Sequence, residues 1–423
     1  MISGTVAAPP SKSFMQRVVA AALLSAGLTE IANPSFCDDS LASLGIAQDL
    51  GAKIWKEGDR LKIKGGIEPV KRELNCGESG LCLRMFPAFA SLTTREIILT
   101  GRGTLFRRPV GMIEKPLQAL GVQCESQAGY PPLRLKGPLR GGRATVDGST
   151  TSQFLTGLLL ALPCAEEDSV LEVENLKSKA YIDITLKVAS DFGISIFNED
   201  YRKFYIKGRQ KFRAREYRIE GDWSAAAFLL VAGAIGGSVT VGGLDLDSCQ
   251  GDRKILEALE ACGARLSIDS SPSDKTSSET GKRNSAIIKV ENSTLKGFIF
   301  DATDCPDLFP PLVVLACACE GLTRIKGVNR LSHKESHRAE VLSEEFSKLG
   351  ADISINGDWM EIRRSQLSSG IVDPHHDHRM AMAAAVAGII ADGKILIKDP
   401  ACVSKSYPNF FDDFRKIGGK VDE

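Results

Sequence analysis

The sequence predicts an α/β protein of two domains, each built from three copies of one repeated unit. Three observations carry this reading: the length of 423 residues, six glycines that close amphipathic stretches at near-regular intervals, and six almost wholly apolar segments between them. A chain this long exceeds one ordinary hydrophobic core and is expected to divide. Hydrophobic residues at 43% and charged residues at 25% suit a globular protein and exclude a disordered or fibrous one.

The glycines are Gly51, Gly121, Gly193, Gly263, Gly350 and Gly418, each preceded by an apolar residue or cysteine (Leu50, Leu120, Phe192, Cys262, Leu349, Ile417). A helix that ends in a left-handed residue favours glycine there, because glycine has no Cβ to clash. The successive spacings are 70, 72, 70, 87 and 68 residues. The long one contains SSPSDKTSSETGKRNS, positions 270–285, which reads as an inserted polar surface loop. A solenoid is the competing architecture, but solenoid repeats usually run about 20 to 50 residues and these are longer.

A second set of six helices is expected to begin near Ser11, Glu78, Thr151, Asp222, Asp304 and His376. Their bodies read VVAAALL, LRMFPAFASL, FLTGLLLAL, AAAFLLVAGAI, LFPPLVVLACA and MAMAAAVAGII, with no polar face, so they are expected to be buried. Pro310 and Pro311 should distort the fifth near its start. Each unit is then a buried helix, a strand, a surface helix and one or two further strands.

Composition narrows the function classes. Lys plus Arg and Asp plus Glu are 53 each, which gives no bulk attraction for a polyanion, and no RNA-binding signature is present. No nucleic-acid partner is expected. The eleven scattered cysteines read as buried thiols of a reducing compartment. MISGTVAAPPSKS lacks the basic start and apolar core of a signal peptide, and no apolar run is long enough to span a bilayer. A cytoplasmic protein without a membrane partner is the expectation. His333 and His337 lie four apart and His375, His376 and His378 cluster, yet HKESH matches neither HExxH nor HxxEH, so no metal is expected. Neither GxxxxGK(S/T) nor GxGxxG occurs, and no cofactor is expected.

The residues with chemical potential sit at the starts of the buried helices: PSKSFMQR, NCGESGLCLR, STTSQF, EGDWSA, DCPDLF and HHDHRM. Helix N-termini carry unpaired N–H groups and partial positive charge, so several facing one cleft would trap anions. Ser, Thr and Asp there are also ordinary N-caps, and both readings stand for any single unit. Basic residues form a second layer in the loops before the surface helices: Arg107 and Arg108, Lys177 and Lys179, Lys334 and Arg338, and Lys405. A lone loop cation is usually solvated, but equivalent loops of a repeated unit tend to reach one face. Together they suit small substrates bearing several phosphate or carboxylate groups.

These strings, in this order, resemble the 5-enolpyruvylshikimate-3-phosphate synthase family over essentially the whole chain. PSKSFMQR is similar to the family's SKSxxxR opening, SGLCLR to its AGTxxR element and RRPVG to its RP element. TTSQFLTGLLLALP resembles SSQFLTALL, and SKAYIDITL resembles SKPYIDITL. KESHR is similar to KE(T/S)DR, DHRMAM is identical to the family string, and DPACVSKSYPNFF resembles DPxCxxKTFPxFF. The resemblance implies a two-domain inverse α/β barrel-like fold of six βαβαββ units, three per domain. One domain would comprise residues 1–11 and 223–423 and the other 12–222, with the active site in the cleft between them. It departs from the family at Leu81 (usually Thr), Met85 (often Pro), Arg330 (often Asn), His337 (Asp) and Thr151 (Ser). Leu81 and Met85 border the place where the family's inhibitor glyphosate competes with phosphoenolpyruvate.

The implied activity is transfer of the enolpyruvyl group of phosphoenolpyruvate to the 5-hydroxyl of shikimate 3-phosphate, in chorismate and aromatic amino acid biosynthesis. The methylene carbon is protonated while the hydroxyl attacks C2, and the tetrahedral ketal then loses phosphate. By resemblance, Lys12, Ser13, Arg17, Thr151, Ser152 and Ser178 would hold shikimate 3-phosphate, with Tyr181 against its ring. Lys12, Gly80, Arg108, Gln153, Arg338, Arg379 and Lys405 would hold phosphoenolpyruvate. Lys334 and Asp307 would lie beside the shikimate hydroxyls. Asp307 is the candidate base for the 5-hydroxyl, and Glu335 or Lys12 the candidate for proton transfer at the methylene carbon. An N-cap role for Asp307 and a surface-helix role for Glu335 are the plain alternatives. The sister transferase acting on UDP-N-acetylglucosamine carries a loop Cys in a GCAIGARP-like string, where this chain has GRGTLFRRP. A catalytically silent binding protein on the same scaffold is the rival from another class. The expected form is a monomer.

Overall fold

The computed structural model describes residues 1–270, 285–332 and 334–422. The polar insertion expected over 270–285 lies outside the described residues apart from its two ends, as does His333. The chain divides into two compact units: Met1–Pro9 with Glu220–Glu423, and Pro10–Ile219.

The described residues form twelve α-helices: α1 (Lys12–Leu24), α2 (Asp38–Asp49), α3 (Gly80–Ala90), α4 (Glu114–Ala119), α5 (Gln153–Ala161), α6 (Lys179–Asp191), α7 (Trp223–Gly236), α8 (Ile255–Ala261), α9 (Phe309–Ala318), α10 (Arg338–Lys348), α11 (His378–Ala387) and α12 (Phe410–Lys416). The odd-numbered members start within one or two residues of the expected positions, except α9, which begins five residues after Asp304 behind a 3-10 turn. They lack a polar stripe: α7 is buried from Trp223 to Ile235, and α3 over its full length. The even-numbered helices bury one side only, as α10 does with Val341, Leu342 and Phe346. Each even-numbered helix is followed by one of the six repeat glycines, and all six adopt φ between 83° and 118°. A side chain there would meet the left-handed penalty that glycine escapes.

The unit of residues 10–219 holds three four-stranded sheets. In the second, strand 73–75 runs parallel to 96–100, which pairs antiparallel with 130–136, itself paired with 123–127. With α3 between the first two strands and α4 before the hairpin, the order is βαβαββ. The third sheet repeats it with strands 142–147, 169–174, 203–206 and 196–199. In the first sheet the parallel partner of strand 28–32 is 216–218, from the far end of the segment. The other unit is built alike: strand 2–7 pairs in parallel with 237–245, and strand 299–301 with 322–326. Strand 2–7 thus pairs across the whole intervening segment, which is why residues 1–9 belong with the C-terminal half. Hydrogen bonding along a shared sheet fixes such a segment more firmly than sequence proximity does.

Two details differ from the sequence expectation. The sixth sheet, strands 368–372 and 392–397, is two-stranded, so the sixth unit shows βαβα and lacks the closing hairpin among the described residues. Pro310 and Pro311 do not distort α9. They occupy its first turn, behind a 3-10 turn Pro306–Leu308, where the missing N–H groups have no intrahelical acceptor to lose. Pro87 does stand inside α3.

The buried helices approach closely. α7, α9 and α11 pack mutually in one unit, and α3 packs on α5 in the other. A Cβ on Gly157 of α5 would stand 2.3 Å from the Met85 carbonyl oxygen, so this contact requires glycine. The helix starts are therefore held by rigid packing, which is what a set of fixed charges needs.

Candidate active site

In the unit of residues 220–423 the site centres on Asp307. It lies in the 3-10 turn before α9, whose N-cap is Leu308, so its side chain does not cap that helix. The carboxylate instead accepts from Lys334 Nζ at 3.0 Å, Arg338 Nη1 at 2.8 Å and Arg379 Nη2 at 3.2 Å. Burial by itself would raise its pKa, but Arg379, Lys334 and Arg338 outweigh this and hold it well below the ordinary carboxylate value. Burial pulls the Lys334 ammonium below its usual range, with Asp307 opposing.

Arg338, at the first position of α10, is fully buried and serves as the hub. Nε and Nη2 donate to the two oxygens of Asp377 at 2.8 and 3.2 Å, and Nη2 also reaches Glu335 Oε2 at 2.6 Å. Burial disfavours its charge, yet Asp377, Glu335 and Asp307 raise its pKa. Asp377 also caps α11, accepting from the Arg379 N–H at 3.1 Å, and takes the Ser336 hydroxyl at 3.1 Å. Glu335 precedes α10 and its side chain is about one-seventh exposed at 14%, so it is not a solvated surface-helix carboxylate. Lys405 is buried in the turn Pro400–Lys405, which packs on α11.

In the unit of residues 10–219, Lys12 opens α1 and its Nζ lies 3.0 Å from Asp39 Oδ2 in the first turn of α2. Gln16 ties three helix starts together: its Nε2 donates to the Asp39 carbonyl at 3.0 Å and to Ser79 Oγ at 2.8 Å, and Ser79 caps α3. Arg108 and Gln153 converge on Gly80. A Cβ at Gly80 would stand 2.4 Å from Arg108 Nη1 and 3.6 Å from Gln153 Oε1, so glycine there admits the guanidinium. Arg84 donates to the same Gln153 oxygen at 2.8 Å and to the Pro109 carbonyl at 3.2 and 3.1 Å. Leu81 and Met85 are buried beside this group in α3.

Arg17 is 1% exposed and heavily engaged within its unit. It donates to Thr185 Oγ1 at 3.0 Å, the Ser13 carbonyl at 2.8 Å, Thr156 Oγ1 at 3.4 Å and the Tyr181 carbonyl at 3.2 Å. It also stacks 5.9 Å from the Tyr181 ring centroid. Thr151 accepts the Gln153 N–H at 3.2 Å, and Ser152 is the N-cap of α5 without a capping bond. Ser178, the N-cap of α6, has φ of 56°, a left-handed backbone that a non-glycine residue adopts at a cost.

Of the basic loop residues, Arg108, Arg338 and Lys405 are buried, whereas Arg107, Lys177 and Lys179 are exposed. Loop position alone grouped these six; the family resemblance selected Arg108, Arg338 and Lys405 for the site and left the other three out. Sequence reasoning missed Asp39, Gln16, Arg84 and Asp377, which orient the cations. Asp377 opens the DHRMAM string, a visible signal. Asp39 carries none, because a first-turn carboxylate is common in any helix. Among the described residues no group of three or more His, Cys, Asp or Glu is placed to hold a metal ion, and no helix is long and apolar enough to cross a membrane.

Comparisons with known proteins bear on this geometry. The family model described as EPSP synthase (3-phosphoshikimate 1-carboxyvinyltransferase) matches residues 1–414. A 3-phosphoshikimate 1-carboxyvinyltransferase of Clostridium beijerinckii is 36% identical, covering 100% of this chain and 97% of its own. One from Clostridium perfringens is 38% identical, with 99% and 96% covered. The solved EPSP synthase from Acinetobacter baumannii superposes with a TM-score of 0.83 at 26% identity, covering 100% of this chain and 97% of its own. An enolpyruvyl transferase from Streptomyces tendae, at 16% identity and a TM-score of 0.77, shares the fold.

Proposed function

The chain belongs to the EPSP synthase family, and from that premise we propose which of its side chains carry the reaction. The protein transfers the enolpyruvyl group of phosphoenolpyruvate to shikimate 3-phosphate, releasing phosphate, in aromatic amino acid biosynthesis. The carrying observation for the residue roles is the ring of Lys334, Arg338 and Arg379 around one buried carboxylate, Asp307.

Two anions must come together against their mutual repulsion, and fixed cations in a water-poor site make that affordable. In our assignment Arg338, Arg379 and Lys405, with Lys12, Gly80, Arg108 and Gln153, bind phosphoenolpyruvate. Lys12, Ser13, Arg17, Thr151, Ser152, Ser178 and Tyr181 bind shikimate 3-phosphate, with Lys334 and Asp307 at its hydroxyls. Asp307 takes the proton of the 5-hydroxyl as its oxygen attacks C2. With three cations beside it the carboxylate is a weak base in the free protein; two bound anions offset those cations and raise its proton affinity when the hydroxyl is in place. Glu335, hydrogen-bonded to Arg338, delivers a proton to the methylene carbon and takes one back from the resulting methyl group as phosphate leaves and the double bond re-forms, with Lys12 the alternative for this transfer. We place the reaction in the cytoplasm, whose reducing conditions suit the eleven free cysteines, and take the protein to act as a monomer.

The assay is phosphate release from phosphoenolpyruvate with each of two acceptors. Release should depend on shikimate 3-phosphate and should not occur with UDP-N-acetylglucosamine. Equal release with the nucleotide sugar would assign the chain to the sister activity, and none with either acceptor would leave a silent binding protein.

A further inference from the structure

Arg17 is held by a pair of hydroxyls that have no part in the assignment above. Thr156 of α5 and Thr185 of α6 are both fully buried, with their Oγ1 atoms 3.0 Å apart. Arg17 Nε donates to Thr185 Oγ1 at 3.0 Å, and Nη2 donates to Thr156 Oγ1 at 3.4 Å. Nε and Nη2 form one edge of the planar guanidinium, so the two hydroxyl oxygens face that edge as the oxygens of a carboxylate would.

The placement of the protons follows from the acceptors. The Thr185 hydroxyl donates to the Tyr181 carbonyl at 2.8 Å, one turn back in α6, and a hydroxyl has a single proton. The Thr156 hydroxyl then donates to Thr185 across their contact. Thr185 Oγ1 thereby turns its two lone pairs to Arg17 Nε and to the Thr156 proton. A bond to the carbonyl four residues back is the common fate of a buried helical threonine and by itself says nothing of function. Here the same oxygen also fixes the plane of a buried cation on another helix.

The helix starts assigned to shikimate 3-phosphate are tied to this node through single hydrogen bonds. Arg17 Nη1 donates to the Ser13 carbonyl at 2.8 Å, and Nη2 to the Tyr181 carbonyl at 3.2 Å. The Thr156 N–H donates to the Ser152 carbonyl at 3.1 Å, and the Tyr181 N–H to the Ser178 carbonyl at 3.1 Å. α6 packs on both α1 and α5. These acceptors are neutral, unlike the carboxylates around Arg338, so the bonds orient the Arg17 guanidinium without adding a negative charge. We propose that Thr185, with Thr156 behind it, is a positioning residue for shikimate 3-phosphate: its hydroxyl sets the plane of Arg17 and the spacing of the helix starts at Ser13, Ser152 and Tyr181 around the anion.

The inference rests on the proposal that Arg17 binds shikimate 3-phosphate, and the experiment separates the two. Affinity for shikimate 3-phosphate is measured by calorimetric titration for the wild type, Thr185→Val, Thr185→Ser and Arg17→Ala. KM for phosphoenolpyruvate at saturating shikimate 3-phosphate and thermal unfolding are recorded for each. Valine keeps the volume and deletes the hydroxyl, whereas serine keeps the hydroxyl and deletes a buried methyl, so affinity and stability are pulled apart. Thr185→Val should weaken shikimate 3-phosphate binding about ten- to thirtyfold, the lower part of what one hydrogen bond to a charged group supplies. Thr185→Ser should bind within about threefold of wild type although the lost methyl lowers its melting temperature. KM for phosphoenolpyruvate should change less than about twofold in both. Thr156→Val should weaken shikimate 3-phosphate binding by about threefold, since its bond to Nη2 is the longer one, and it stands in if Thr185→Val does not fold. With Arg17→Ala losing affinity, three results would overturn the role of Thr185 alone: wild-type binding in the valine variant, serine as weak as valine, or equal losses for both substrates. Normal affinity in Arg17→Ala would overturn the assignment of Arg17 beneath it.

Discussion

Replacing Arg338 by alanine is expected to lower the free energy of unfolding by about 3–5 kcal/mol and to remove turnover. Its guanidinium is fully buried and links Asp377, Asp307 and Glu335. Truncation leaves Asp377, with no exposed side-chain surface, facing the interior without its bidentate partner. The cost is mainly that stranded charge, so Arg338→Lys should recover only part of it, because an ammonium cannot serve both Asp377 oxygens through a planar fork. The sign with pH follows from Asp307. Its folded pKa is depressed, so its pairing contributes fully above the ordinary carboxylate value and is lost as pH falls through the lower folded value. The difference between wild type and Arg338→Ala should thus hold through neutral pH and at pH 5, and shrink only in strong acid. Urea denaturation across that range checks it. A difference within about 0.5 kcal/mol at neutral pH, the size of a surface substitution, would mean that the hub does not bear the load described.

The second large effect belongs to Asp307. Asp307→Asn keeps the shape and deletes both the charge and the proton-accepting oxygen pair. kcat should fall by about 10²–10⁴, the usual worth of a general base. Affinity for either substrate should not weaken, because three cations lose a competing carboxylate. Steady-state kinetics with direct binding of phosphoenolpyruvate would show that split. A kcat within about threefold of wild type would remove Asp307 from the chemistry. Asp307→Ala is the poorer probe, since it also opens a cavity among buried cations.

How far these features were legible from sequence follows from what each depends on. The glycines after the surface helices were legible because a left-handed cap is a local demand that one residue type satisfies. The buried helices were legible because α7 or α9 offers no polar face to solvent in any arrangement. Strand partnership was not: nothing local in ISGTVA says that it pairs with 237–245 rather than with its neighbours. Nor could the loops distinguish Arg107, exposed, from the adjacent Arg108, buried against Gly80. Pro310 and Pro311 misled because proline is harmless in a first turn and disruptive one turn later, and helix starts are uncertain by that amount. The cations of the site were named in advance from the family strings. Their orienting partners Asp39, Arg84 and Asp377 came only from coordinates, since each is set by packing between elements remote in sequence.

In the proposed assignment Lys12 and Arg379 both bind phosphoenolpyruvate. Calorimetric titration of phosphoenolpyruvate, at saturating shikimate 3-phosphate, into wild type, Lys12→Ala and Arg379→Ala tests this most directly. Loss of most of the affinity in both variants, each still folded, is the predicted result. Wild-type binding in either variant would contradict it.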